Sequence, residues 1–409
     1  MAIVRAFTAL RPAGSVAAKV SAVPYDVVST EEARSLAAGN PLSFLHVSRA
    51  EIDLPDGTDP HSDEVYATAA ENFEKLKVEA PLHVEGDRAL YVYRLRVGPH
   101  EQTGIAGCCS IDEYDRDVVR KHERTRRDKE DDRTKHMIAL SAQTGPVFLT
   151  YRDDAAIDAI VQRIKRDPPL CDFSAPDGVA HTIWRVGPDR RDALTAAFEL
   201  IDLLYIADGH HRAASASRAA AHYRSLSPAD RQDSSEFDFF LAVLFPASQV
   251  RILAYNRAVK ELNRKTPEEV LEEVRRRFTV REGAASTPLR RGEIAMYLAG
   301  RWYGLVPREA PAEDAIDSLD VSILQERILS PILGIKDIRT DKRIEFVGGI
   351  RGPAELERLV DSGAAAVAFS LYPVSVDQLI AISDANEIMP PKSTWFEPKL
   401  RDGLLVHLI

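Results

Sequence analysis

A chain of 409 residues is long enough for two or three domains, and with 45% hydrophobic and 28% charged residues it reads as an ordinary globular protein rather than a low-complexity or fibrous one. Its 53 Lys and Arg against 63 Asp and Glu leave a formal charge of −10, which gives no general attraction to a nucleic acid backbone or an anionic membrane, so any anion must be bound locally. The three cysteines form no CxxC pair and no even framework, which argues against a disulfide scaffold, a structural zinc site and a secreted context, and no segment reaches the ~18 apolar residues that span a bilayer. A cytoplasmic protein is expected, with neither nucleic acid nor membrane as a partner.

In chain order, Ser29-Thr30-Glu31-Glu32 is a helix start, a capping hydroxyl followed by carboxylates in the first turn, and Gly39-Asn40-Pro41 is its stop. Residues 53–62 read as a surface loop and 66–78 as a helix. Residues 89–97 and 104–111 read as strands paired around Gly98-Pro99-His100, with Cys108 and Cys109 as small strand residues. From 115 to 135 the chain is densely charged without an apolar stripe; residues 116–135 hold nine Lys or Arg and six Asp or Glu, which predicts a solvated helix laced with i,i+4 pairs. A strand at 145–151, a helix at 155–166 and a strand or helix end at 201–207 follow, the last leading into Asp208-Gly209-His210-His211-Arg212 and a helix over 213–223. Later come a buried strand at 237–245, a helix at 267–278, a hairpin at 293–306, and then helix 322–329, strand 344–347, helix 353–362, strand 365–371 and helix 374–386. Strands alternating with helices predict an α/β or α+β fold with a boundary near 255–265.

Three segments could carry chemistry. At 204–216 an apolar strand runs through a glycine turn into a helix, so the peptide N–H groups near Gly209–Arg212 lie at the positive end of a helix dipole. His210, His211 and Arg212 add donors suited to phosphate oxygens, and Asp208 offers a carboxylate to a metal ion or a hydroxyl proton. A mere helix cap explains one polar residue there but not four in a row. In Arg120-Lys121-His122-Glu123-Arg124-Thr125, Glu123 is either one carboxylate of a solvated face or a general base kept ionised among cations. In 389–399, two prolines stiffen the approach to Lys392, Ser393 and Thr394; the segment is either a carboxylate or phosphate holder or a proline-rich tail docked through Trp395 and Phe396.

At these segments the chain resembles known proteins. Tyr205-Ile206-Ala207-Asp208-Gly209-His210-His211-Arg212 is similar to the phosphate-binding loop of the ParB/sulfiredoxin-like superfamily, in the form found in free serine kinases. His122-Glu123 resembles the pair that carries that family's catalytic glutamate, and Pro391-Lys392-Ser393-Thr394 its C-terminal substrate segment, which departs from the archaeal pattern in continuing with Trp395 and Phe396. Over its whole length the chain also resembles a bacterial domain-of-unknown-function family related to pyrophosphate-dependent serine kinases, through segments 23–28 and 39–46.

The resemblance implies a ParB/sulfiredoxin-like core at 105–260, an N-terminal extension at 1–104 and a C-terminal α/β domain at 261–409, with an interdomain cleft. It implies a small-molecule kinase that moves a phosphoryl group from pyrophosphate, ADP or ATP to the hydroxyl of free serine with Mg²⁺. Glu123 and Asp208 would be catalytic, Asp208 also the metal ligand, Gly209, His210, His211 and Arg212 would hold phosphate, and Lys392, Ser393 and Thr394 would hold the amino acid. No Walker or protein-kinase motif is present. Two other classes remain: a ParB-like nucleotide-dependent DNA-binding switch, against which the acidic charge counts, and a metal-dependent phosphohydrolase using Asp208, His210 and His211.

Overall fold

The computed structural model describes residues 2–226, 234–309 and 314–409. It is a mixed α/β protein that separates into two units. One comprises Met1–Lys121, Thr125–Val250 and Pro398–Ile409, the other His122–Arg124 and Arg251–Glu397. Among the described residues no helix is long and apolar enough to cross a membrane.

The first unit is built on a nine-stranded sheet in the order Val119–Arg120, Leu204–Asp208, Val147–Tyr151, Phe239–Pro246, His100–Ser110, Tyr91–Val97, Ala180–Arg185 and Cys171–Ser174, with Val4–Arg5 also paired to His100–Ser110. Leu204–Asp208 runs parallel to Val119–Arg120, and Phe239–Pro246 parallel to Val147–Tyr151; the other pairs are antiparallel. Leu204, Ile206, Val147, Leu149, Ala242 and Leu244 from the central strands pack with Ala213, Ala216 and Ala220 of the His210–Leu226 helix in one apolar core. The alanines let that helix lie close to the sheet.

Strands on both sides of residue 104 share this sheet, and the chain passes between the units at 121/122, 124/125, 250/251 and 397/398. A four-stranded sheet joins Leu82–Val84, Ala9–Pro12, Val406–Leu408 and Ala142–Gln143, so the last residues of the chain are stitched to the first. Ser29 caps Thr30–Ala37 through the reciprocal bonds that its sequence predicts.

The charged stretch differs from the predicted solvated helix. Val119–Arg120 is a strand, the chain from 121 to 126 is irregular, and the helix is Arg127–Leu140. Asp132 and His136 on that helix are buried, because Asp132 accepts hydrogen bonds from Tyr66 at 2.9 Å, Arg133 at 2.8 Å and His61 at 3.1 Å. A buried carboxylate is tolerated when it is bonded, and two of its partners here, Tyr66 and His61, come from a distant part of the chain.

The second unit is a six-stranded antiparallel sheet, Phe278–Glu282, Arg301–Pro307, Ile294–Leu298, Val367–Ser370, Tyr255–Val259 and Ile344–Gly348. The Gly352–Asp361 helix buries Leu356 and Leu359 against Ala258, Tyr297, Val347 and Ala368. A two-stranded ladder pairs Ile252–Leu253 with Trp395–Phe396.

Candidate active site

In the first unit the strand Leu204–Asp208 passes through a single residue, Gly209, into the His210–Leu226 helix. Gly209 has φ of +94°, which strains any other residue, and a Cβ there would crowd Cζ and Nε of Arg212 at 3.1 Å. The compact turn leaves the carboxylate of Asp208 beside the first turn of the helix.

Asp208 Oδ2 accepts from Arg212 Nη2 at 3.2 Å and from Lys399 Nζ at 3.3 Å. Burial alone would raise the Asp208 pKa, but the charges of Lys399 and Arg212 outweigh it and hold the carboxyl well below the usual carboxylate range. Asp208 is therefore an anion at neutral pH. Arg212 is 4% exposed. Its guanidinium donates to the Pro146 carbonyl as well as to Asp208, and it lies 3.8 Å from Asp26 Oδ2. Burial would lower its pKa, but Asp26, Asp208 and Asp402 together raise it. Arg212, expected to hold phosphate, is buried here and bonded to Asp208 and the Pro146 carbonyl.

His210 is 6% exposed at the start of the helix. His211 is half-buried, and its Nε2 accepts the N–H of Arg126 at 3.1 Å. Three residues that sequence reasoning did not single out complete this cluster: Lys399, Asp26 and Asp402. Lys399 and Asp402 arrive on the C-terminal return, where Asp402 exchanges backbone hydrogen bonds with Ala22. Gly145 lies so close to Asp402 that a Cβ there would sit 2.6 Å from Oδ1. The only sequence signals for them were the 23–28 segment and the unassigned residues after the Lys392 segment.

As a metal site this cluster offers two accessible carboxylates, Asp26 and Asp208, the second already bonded to Arg212 and Lys399.

The second unit gathers the other candidates. The carbonyl of buried His122 accepts the N–H of Met389 at 2.9 Å, its Nε2 lies 3.3 Å from Thr394 Oγ1, and its ring packs against Phe396. Half-buried Glu123 is thereby carried by a dipeptide docked onto the segment that holds Lys392, Ser393 and Thr394. Ser393 is buried and its hydroxyl donates to the Pro390 carbonyl at 2.6 Å, fixing the turn. Lys392 is exposed, with φ of +60° and Nζ 5.5 Å from the centre of the Tyr255 ring. Arg257 donates from Nη2 to the Lys392 carbonyl at 2.9 Å. The indole of Trp395 covers Gly348, where a Cβ would lie 2.6 Å from the ring, and packs edge-on to Tyr255. The tail is therefore docked through its aromatics, with Lys392 exposed at its turn.

Residues 4–322 match the family described as "Protein of unknown function (DUF1015)". No curated protein matches the chain. Among solved structures it is similar to a free serine kinase in complex with AMP, at 14% identity and TM-score 0.36 over 76% of this chain and 94% of that one. It is also similar to a conserved hypothetical protein from Pyrococcus furiosus, at 15% identity and TM-score 0.37 over 74% and 95%. A third is SbnI with C-terminal truncation from Staphylococcus aureus, at 12% identity and TM-score 0.37 over 74% and 87%.

Proposed function

The chain belongs to the DUF1015 family, whose description assigns no chemistry, and from the chemistry of its own residues we propose that it is a phosphotransferase carrying a phosphoryl group to the hydroxyl of free L-serine to give O-phosphoserine. The observation that carries this reading is the Asp208–Gly209 junction: an ionised carboxylate held between Arg212 and Lys399 at the N-terminus of a 17-residue helix. A helix N-terminus with adjacent cations favours phosphate, and phosphoryl transfer is chiefly positioning and charge stabilisation. The resemblance of this junction, of His122-Glu123 and of the Lys392 segment to free serine kinases supports the choice of acceptor.

In this reading the N–H groups at Gly209–His211, with Lys399, meet the donor's phosphates, and Arg212 keeps Asp208 oriented from beneath. Asp208 would hold Mg²⁺, which offsets the phosphate charge. Glu123 accepts the proton of the serine hydroxyl as its oxygen forms the new bond to phosphorus. The bond from phosphorus to the leaving oxygen breaks, releasing phosphate from pyrophosphate, AMP from ADP or ADP from ATP. Pyrophosphate is the donor favoured by the resemblance to the bacterial family.

The test is incubation with serine, Mg²⁺ and each donor in turn, followed by mass detection of phosphoserine. Phosphoserine from one of the three donors is expected. Its absence with all three, together with no calorimetric binding of any donor, overturns the reading.

A further inference from the structure

Resting on the phosphotransferase reading, we infer that Asp26, carried by the N-terminal segment, makes the donor site refuse a bare polyphosphate and accept one whose charge a divalent cation offsets. The fold fixes where this carboxylate stands. Asp26 lies in a single helical turn, Tyr25–Val27, that follows Pro24. Tyr25 is buried, with the Arg133 guanidinium 4.1 Å from the centre of its ring. Just before it, Ala22 exchanges backbone hydrogen bonds with Asp402 at 3.2 Å and 2.9 Å. The segment is thus tied both to the Arg127–Leu140 helix and to the C-terminal return.

From this anchored turn Asp26 Oδ2 lies 3.8 Å from Arg212 Nη2, the same nitrogen that donates to Asp208 Oδ2 at 3.2 Å. At 3.8 Å the Asp26 contact is too long for a hydrogen bond and acts through charge alone. It is nonetheless the first among the carboxylates that raise the Arg212 pKa, ahead of Asp208. Two carboxylates that share one nitrogen lie within the roughly 8 Å over which charges still interact at physiological salt. Their exposure differs from that of the cation between them: the side chains of Asp26 and Asp208 are 35% and 27% exposed, and that of Arg212 is 4% exposed.

Beside the N–H groups of Gly209–His211, solvent therefore meets two carboxylates in front of a buried guanidinium. The helix dipole and Lys399 attract phosphate, and the carboxylates repel it. A bare polyphosphate meets that opposition in full, whereas one carrying a divalent cation meets less of it. Discrimination commonly rests on such a repulsive element against the unwanted form. Asp208 supplies part of it from the loop itself, and Asp26 adds a charge from a turn that its anchors keep from swinging away. Asp26 is a specificity-determining residue here, acting on the charge of the donor.

The experiment is calorimetry of pyrophosphate, ADP and ATP on the full chain, each with excess Mg²⁺ and again with EDTA, which reads the donor's Kd without turnover. For a donor that the parent binds, Mg²⁺ should tighten binding by about tenfold or more. In Asp26→Asn the metal-free donor should bind about tenfold tighter, which narrows that preference, and Asp26→Glu should keep the parent's preference. A purely structural role has the opposite sign, because a less supported Arg212 would weaken the donor with and without metal. That result, or a metal-free Kd that does not move, overturns the inference. Equal binding of bare and Mg²⁺-bearing donor by the parent also overturns it, while the phosphotransferase reading stands. A parent that binds no donor under either condition defeats the reading and the inference together. A preference that narrows as expected supports the inference even if no phosphoserine forms, and the failure then belongs to the choice of acceptor. If thermal melting shows Asp26→Asn unfolded, Asp26→Ser decides: tighter metal-free binding supports the inference, and unchanged or weaker binding overturns it.

Discussion

Arg212 in the first unit and Arg257 in the second are both buried, and their surroundings differ in one respect. Arg212 lies among Asp26, Asp208 and Asp402, and Arg257 among carbonyl oxygens and the rings of Tyr255 and Phe346. A guanidinium matched by carboxylates is committed to the fold, and its use is to hold one of those carboxylates in place. A guanidinium bonded to carbonyls instead holds the backbone that supplies them. The first unit thus holds a charge cluster with Asp208 at its edge, and the second an arginine held by backbone carbonyls beneath the Lys392 turn.

The largest effect expected from this contrast is at Glu123, on the acceptor side. Glu123→Gln keeps the size and hydrogen-bonding edge of the side chain and removes the base, so kcat should fall by ~10²–10⁴ while the donor's Kd in calorimetry stays unchanged. A parent-like kcat would remove Glu123 from the chemistry. The next effect sharpens the comparison itself. Arg212→Met leaves Asp208 and Asp402 without their guanidinium, and breaking a buried pair from one side costs about 3–5 kcal/mol in denaturant unfolding. Arg257→Met strands no carboxylate and should lose clearly less in the same experiment. Equal losses would mean that the two arginines play the same part.

How far the sequence could lead follows from where partners lie along the chain. The Asp208–Arg212 junction was legible because its parts are contiguous: an apolar strand, a glycine, polar donors and an alanine-rich helix, in register with the expected fold. Lys399 bonds to Asp208 across 191 positions, and Asp402 reaches Arg212 on a return that carries no periodic pattern, so neither could be read without the fold. The charged run at 116–135 misled for a related reason. Counting charges assigns Asp132 to solvent, and only Tyr66 and His61 from a distant helix and loop explain its burial. Arg257 sits in Tyr255-Asn256-Arg257-Ala258-Val259, which reads as an unremarked strand. What distinguishes it is that its guanidinium donates to backbone carbonyls, a property that no local pattern records.

The smallest effect is a pH dependence, and its sign follows from Asp402. This residue is 2% exposed and pressed against Gly145. Burial pushes its carboxyl up to about 7, with Arg212 pulling it down and Asp26 pushing it further up. In the unfolded chain the same group ionises near about 4, so between about 4 and about 7 the folded protein keeps a proton that the unfolded chain has released. Stability attributable to Asp402 therefore falls as pH rises through that window, by at most about 1.4 kcal/mol per pH unit. Asp208 runs the other way: its pKa is depressed, so its contribution is present above about 4 and is lost as pH falls through its lower folded value. The two windows do not overlap. Asp402→Asn should remove the slope between about pH 5 and about pH 7 and leave the loss at lower pH intact, and subtracting its curve from the parent's cancels groups such as His136 and His181, which burial keeps neutral in both. Urea unfolding of parent and variant from about pH 5 to about pH 8 measures this. Parallel curves would mean that Asp402 is ionised throughout, and the cluster around Arg212 would then balance its charges through Asp402 as fully as through Asp208.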